Sequence, residues 1–208
     1  MENKSSKFLY WLLGIYAVLF TFLAINPIDR KTWFLENLTV WIILVAILLL
    51  YKYKIKFSRT ALGFMFVLIY LHTIGGHYTF ALVPFDWFSN LFGFSRNHFD
   101  RIAHFTVGFY AFGIAEWLWT KKMVTSKFLL FTYPVFVIAT IAMTYELVEW
   151  IYAAKVPVAD AMAYLGSQGD IWDAQKDMLA DTLGAIFATG FFFTVRKLWT
   201  GKIYKFFG

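Results

Sequence analysis

The chain contains no cysteine, which removes disulfides and thiolate metal sites together and leaves the redox compartment unread. Any metal must take imidazole and carboxylate ligands. Charge is also scarce: 15% of the 208 residues are charged, against 60% hydrophobic and 22% aromatic. A soluble domain of this length could not keep so much apolar surface off its exterior. The net charge of +6 does not point to nucleic acid, because the basic residues stand in small groups beside hydrophobic runs. Repeats, low-complexity tracts and long linkers are absent as well, so residues 1–208 are expected to form a single integral membrane domain.

What is present is a series of apolar runs. A span needs roughly 20 mostly apolar residues to cross a hydrocarbon core about 30 Å thick. Segments near 8–25, 33–51, 60–76, 101–119, 128–152 and 173–195 qualify, predicting an all-α polytopic bundle of about six transmembrane helices. The first follows Lys4 and Lys7, is too long for a signal-peptide core and lacks a small-residue cleavage pattern, so it reads as a retained span.

The basic residues then sort by side. Lys4, Lys7, Lys52, Lys54, Lys56, Arg59, Lys121, Lys122, Lys127, Arg196, Lys197, Lys202 and Lys205 fall on one side. Arg30, Lys31, Arg96, Arg101, Lys155 and Lys176 fall on the other. The richer side is cytoplasmic by the positive-inside rule, which puts both termini inside and agrees with an even number of spans. The connection from His77 to Phe99 is rich in Phe and Trp and is expected to lie in the membrane interface. Pro84-Phe85-Asp86-Trp87 would begin a short in-plane helix there, and a re-entrant loop is the competing reading.

The acidic residues are distributed unevenly. Apart from Glu2 and Glu116 they fall in the outer loops or the outer halves of spans, a bias that orientation does not require. His72 and His77 close the third span. Asp100 and His104 open the fourth at i and i+4, on one helical face. Glu146 and Glu149 end the fifth, and the sixth begins through Asp170 with Asp173, Asp177 and Asp181 as an i, i+4, i+8 stripe.

Bland explanations cover part of this pattern. Asp170 and Asp173 are placed to cap a helix beginning near Ile171. Asp177 and Asp181 are too deep for capping, and the two glutamates stand at a helix C-terminus, where the dipole disfavours negative charge. The glutamates could be solvated if that helix projects past the bilayer, and a lone His72 or His98 would ordinarily be a hydrogen-bonded packing residue. Each ionisable group at membrane depth costs about 2.5–3.5 kcal/mol on insertion scales, so facing groups imply compensation by a cation, by one another or by water. Arg96, Arg101 and Lys176 are too few to neutralise them. Carboxylates and imidazoles from several helices resemble the way bundles assemble metal sites. The residues suit a divalent metal (Mg, Mn, Zn or Fe) held by Asp100, His104, Asp173 and Asp177, with Glu146 or Glu149 as ligand or general base and His72, His77, Asp170 and Asp181 as further candidates.

Four stretches carry a family likeness: His72-Thr-Ile-Gly-Gly-His-Tyr-Thr-Phe, Arg96-Asn-His-Phe-Asp-Arg with His104-Phe105, Thr144-Tyr-Glu-Leu-Val-Glu-Trp150, and Gly169-Asp-Ile-Trp-Asp-Ala-Gln-Lys-Asp-Met178. They resemble the YjdF-like family of bacterial inner-membrane proteins over about residues 60 to 190. A looser likeness is to the VanZ-like membrane proteins, through Asp100, Arg101 and His104, then Glu146 or Glu149, then Asp173 and Asp177. The first resemblance implies a bacterial plasma-membrane location without an established activity; the second implies a link to the cell envelope and glycopeptide tolerance. The residues themselves suggest a metal-dependent hydrolase or transferase acting on a lipid or lipid-linked envelope substrate. The alternatives are a proton- or cation-coupled transporter and a non-catalytic envelope protein whose polar network staples helices together. Membrane lipid is the expected partner; nucleic acid is not.

Overall fold

The computed structural model describes residues 2–199, so Lys202 and Lys205 of the larger basic set lie outside the described residues. Within them the chain forms α1 (Glu2–Leu23), α2 (Arg30–Lys52), α3 (Arg59–Tyr78), α4 (Asp86–Phe92), α5 (Phe99–Val107), α6 (Tyr110–Thr120), α7 (Lys127–Ala153), α8 (Val158–Leu165) and α9 (Asp173–Val195). No strand occurs among the described residues. Polar caps set the starts of three long helices. Asp29 accepts the Thr32 N–H at 2.7 Å, Ser58 accepts that of Ala61 at 3.2 Å, and Ser126 accepts that of Leu129 at 3.4 Å, each satisfying an amide that the helix leaves unpaired.

Five helices, α1, α2, α3, α7 and α9, are long and apolar enough to cross a membrane. The sixth segment expected as a span, 101–119, is instead divided between α5 and α6, neither long enough by itself to cross. Its backbone stays right-handed at Gly108 (φ −56°) and Phe109 (φ −63°). The bonds there tighten to three-residue steps: Phe109 N–H donates to the Thr106 carbonyl at 3.1 Å and Ala111 N–H to that of Gly108 at 3.0 Å. Such a 3₁₀ turn divides the helix without turning the chain back.

Helix α9 packs against α5, α6 and α7, while α3 packs against α1, α2, α5 and α6. Phe66, Phe112, Phe192, Leu62 and Ile138 fill the space between them. Trp11, Phe22, Ile42 and Phe136 are exposed on the outside, as expected of helices whose outer surface meets hydrocarbon. The α5–α9 crossing depends on two glycines. A Cβ on Gly184 would overlap the Phe105 carbonyl, and one on Gly108 would overlap the backbone at Gly184 and Ala185. Small residues let the two backbones approach this closely, and that approach brings the acidic stripe of α9 to the face of α5.

The helix expected at Pro84-Phe85-Asp86-Trp87 is present as α4, with Trp87 and Phe92 exposed. The preceding loop folds back: Phe80, at φ +54°, lays its ring over Gly75 and joins Val83, Phe99 and Ala103 in a small second core. Between α7 and α9 the chain makes a short helix that the sequence reading did not anticipate, α8, whose Val158 and Met162 are exposed.

Candidate functional site

At one end of the α5–α9 pair, three residues of α5 face three of α9. Arg101 bridges Asp173 and Asp177 with separate guanidinium nitrogens. Arg96 donates to Asp173 at 2.9 Å and to Asp170 at 3.2 Å, and Lys176 donates to Asp170 at 2.6 Å. One turn below Asp100 lies His104. Its Nδ1 is 3.2 Å from Asp181 Oδ1, whereas its Nε2 is 3.7 Å from Asp100 Oδ1 and 3.6 Å from Asp177 Oδ1. The two sides of the ring are therefore in different situations. With Nδ1–H donating to Asp181, the lone pair of Nε2 points between two carboxylates at distances too long for a hydrogen bond.

Asp100, His104 and Asp177 together form a group able to hold a metal ion, their donor atoms all within 4.8 Å of one another. Tetrahedral ligands at about 2.0–2.1 Å from zinc stand ~3.3 Å apart, close to the two Nε2 distances. Asp100, Asp177 and Asp181 are buried. Asp177 Oδ1 is shared between this group and Arg101. Asp173, expected as a fourth ligand, is instead engaged by Arg96 and Arg101 and stands outside the triad.

The triad borders a cavity of about 120 Å³ whose other walls come from α2, α3, α7 and α8. Glu36, His72, Tyr145, Glu149 and Tyr164 line it. Glu36 Oε2 lies 2.9 Å from His72 Nε2, a close approach that lacks the alignment of a hydrogen bond. Glu149 reaches the cavity wall; Glu146 does not line it, but is buried with its Oε1 unpartnered. An unpaired buried carboxylate oxygen costs about 1–3 kcal/mol or more, so this group has a use for a proton, a water or a cation.

The remaining candidates fall elsewhere. His77 places Nδ1 2.8 Å from the Leu23 carbonyl and tips its ring against Tyr78, tying α3 to the end of α1 rather than facing the cavity. Asp170 accepts the Trp172 N–H at 3.1 Å just ahead of α9, whose own N-cap, Trp172, makes no side-chain capping bond. The hydrogen bond from Lys176, with that from Trp172, holds the Asp170 carboxyl below the ordinary aspartate value of 3.8. His98 is held below the ordinary histidine value by burial and by Arg96 and Arg101. Glu36, Tyr145 and Tyr164 were not among the sequence candidates. Glu36 could have been found as the lone acid inside the apolar run of α2; Tyr164 lies on the unanticipated α8 and carries no such signal.

The opposite end of the pair holds a different arrangement. Glu116 accepts from Arg196 at 2.6 Å and from the Ser58 N–H at 2.8 Å, and the Arg196 guanidinium lies 5.1 Å from the Trp119 ring centroid.

Comparison with known proteins agrees with a membrane chain of this organisation. Residues 8–198 match the family described as "Predicted membrane protein (DUF2238)". The chain is 32% identical to the inner membrane protein YjdF of Escherichia coli over 176 residues, covering 82% of this chain and 81% of that protein. No solved structure matches.

Proposed function

The chain belongs to the DUF2238 family of membrane proteins, and we propose that it is a divalent-metal-dependent hydrolase or transferase acting on a lipid or lipid-linked substrate. One observation carries the proposal: His104 is oriented by Asp181 through one ring nitrogen while the other faces Asp100 and Asp177. Metal-ligating histidines usually donate their second N–H to a carboxylate, which fixes the tautomer and the ring. A polar staple has no need of that division of labour.

Asp100, His104 and Asp177 would hold the ion. When bound, it would polarise a phosphoryl or acyl oxygen or acidify a water, and two carboxylates with one imidazole suit Mg, Mn, Zn or Fe. Arg101 anchors Asp177 and, with Arg96, anchors Asp173, which fixes the register of α9 against α5. Glu149, on the wall of the cavity, is better placed than Glu146 to accept a proton from a molecule inside it. The basic-residue asymmetry supports an orientation with this end outward, and the E. coli relative's description as an inner membrane protein supports the same membrane for this chain. A transmembrane ion path finds less support, because beyond the cavity the space is walled by apolar side chains rather than by a polar relay.

Elemental analysis of detergent-purified protein tests the reading, wild type beside His104→Ala and Asp177→Asn. One metal equivalent lost in both variants, at normal abundance, is the expected result. A wild-type protein that carries no metal and binds none by calorimetry overturns it.

A further inference from the structure

Below the polar cavity lies a second chamber of about 360 Å³, within the size range of ligand sites. Its walls include Phe57, Met65, Ile114, Trp117 and Ile138. The one hydroxyl among them, that of Tyr110, is already donated to the Met65 carbonyl at 3.0 Å, and the lining is almost wholly apolar. Gly113 helps to keep the space open, since a Cβ there would press on the Met65 methyl. The two chambers are neighbours: Ile43, Leu68, Val107 and Ile141 line both.

The flanking helices matter as much as the lining. Ile43 and Leu50 of α2 form one side and Ile138 and Ile141 of α7 another. Yet α2 packs on α3, and α7 on α6, α8 and α9, while α2 and α7 approach each other little, Tyr145 hydrogen-bonding Thr39 beside the polar cavity. Ile141, which lines both chambers, is itself half exposed. At the Asp100 end the seam is crossed by the exposed Lys31–Asp160 pair, 3.3 Å apart, which links the start of α2 to α8.

A dry apolar space that opens sideways is filled by whatever apolar matter borders it, and for these helices that is lipid hydrocarbon. From the level of Val107 to that of Trp117 the helical rise is about 15 Å, matching the ~15 Å depth of one leaflet's hydrocarbon. We infer that this chamber holds the acyl chain of a membrane lipid whose polar end lies among Glu36, His72, Asp100 and His104, admitted laterally between α2 and α7. The inference deepens the reading of the polar cavity as a substrate site and rests on it.

Phosphatidylglycerol carrying a diazirine midway along one acyl chain tests it, with adducts mapped on the full chain in lipid nanodiscs. Labelling of Met65 and Trp117 that excess unlabelled phosphatidylglycerol competes away is expected. Ile114→Trp, and separately Leu50→Trp, should each lower those adducts about tenfold and leave labelling of the lipid-facing Phe22 unchanged. Adducts confined to outward residues such as Phe22, or chamber adducts that do not compete, overturn the inference in the wild-type protein alone. Asp177→Asn separates the two readings. It should abolish metal binding while chamber labelling persists, so failure of the metal reading leaves the chain site standing, and absence of competed labelling leaves the metal site standing.

Discussion

The two ends of the α5/α6–α9 pair solve the same problem differently. At the Glu116 end one buried carboxylate meets one guanidinium at 2.6 Å and one backbone amide at 2.8 Å, and an aromatic ring lies close to the guanidinium. At the other end, some 24 Å away along the helix, Asp100, Asp170, Asp173, Asp177 and Asp181 share Arg96, Arg101, Lys176 and His104, while Glu36, Glu146 and Glu149 stand nearby. The first end shows what this fold needs in order to clamp two helices with charge. Measured against that, the second end holds carboxylates beyond any structural requirement, and a buried surplus of one sign persists only where something else compensates it.

The sharpest way to break the comparison is to remove the cation at each end. Arg101→Ala strands the buried Asp177 and leaves Asp173 to Arg96 alone, and should cost about 3–5 kcal/mol, read as a fall in Tm in detergent. If the surplus serves a metal, excess divalent cation should recover part of that loss by binding the folded state. Second in size is Asp181→Asn, which leaves His104 without its orienting carboxylate. Metal affinity should fall about 10–100-fold by calorimetry with the helical circular dichroism intact, and an unchanged affinity would sink the assignment of Asp181. Arg196→Ala, at the balanced end, should cost less than Arg101→Ala, about 1–2 kcal/mol, because that side chain is 34% exposed. Added divalent cation should recover none of this loss.

The contrast was legible in sequence to different depths at the two ends. Apolar runs disclosed the long helices, and the i, i+4, i+8 spacing placed Asp173, Asp177 and Asp181 on one face. What spacing cannot give is which partner each carboxylate takes. Arg101 is adjacent to Asp100 in sequence, and its guanidinium crosses to α9 because Gly108 and Gly184 bring the backbones within reach. Those glycines read as ordinary helix residues in one dimension. The cavity depends on α8 and on Glu36, one a short helix in a connection and the other a single acid in an apolar run. Neither has a periodic signal, and their meeting is a product of tertiary packing.

The smallest effect sharpens the comparison at its rim, where pH acts on a group outside the spans. The Asp170 carboxyl is held below 3.8 by the Lys176 ammonium and the Trp172 amide, so its folded pKa is depressed relative to the unfolded chain. The sign follows: the stabilisation is fully present above the ordinary aspartate range and is lost as pH falls through the folded value. Amide exchange at Trp172, whose N–H Asp170 accepts at 3.1 Å, should stay protected to below the ordinary aspartate value and then rise relative to the intrinsic rate. Lys176→Ala removes the foremost cause of the shift and should move that loss of protection toward higher pH. An onset unmoved by Lys176→Ala would mean that Arg96, 3.2 Å away, holds the carboxylate without help, and the rim would then resemble the one-to-one clamp of Glu116 rather than a shared network.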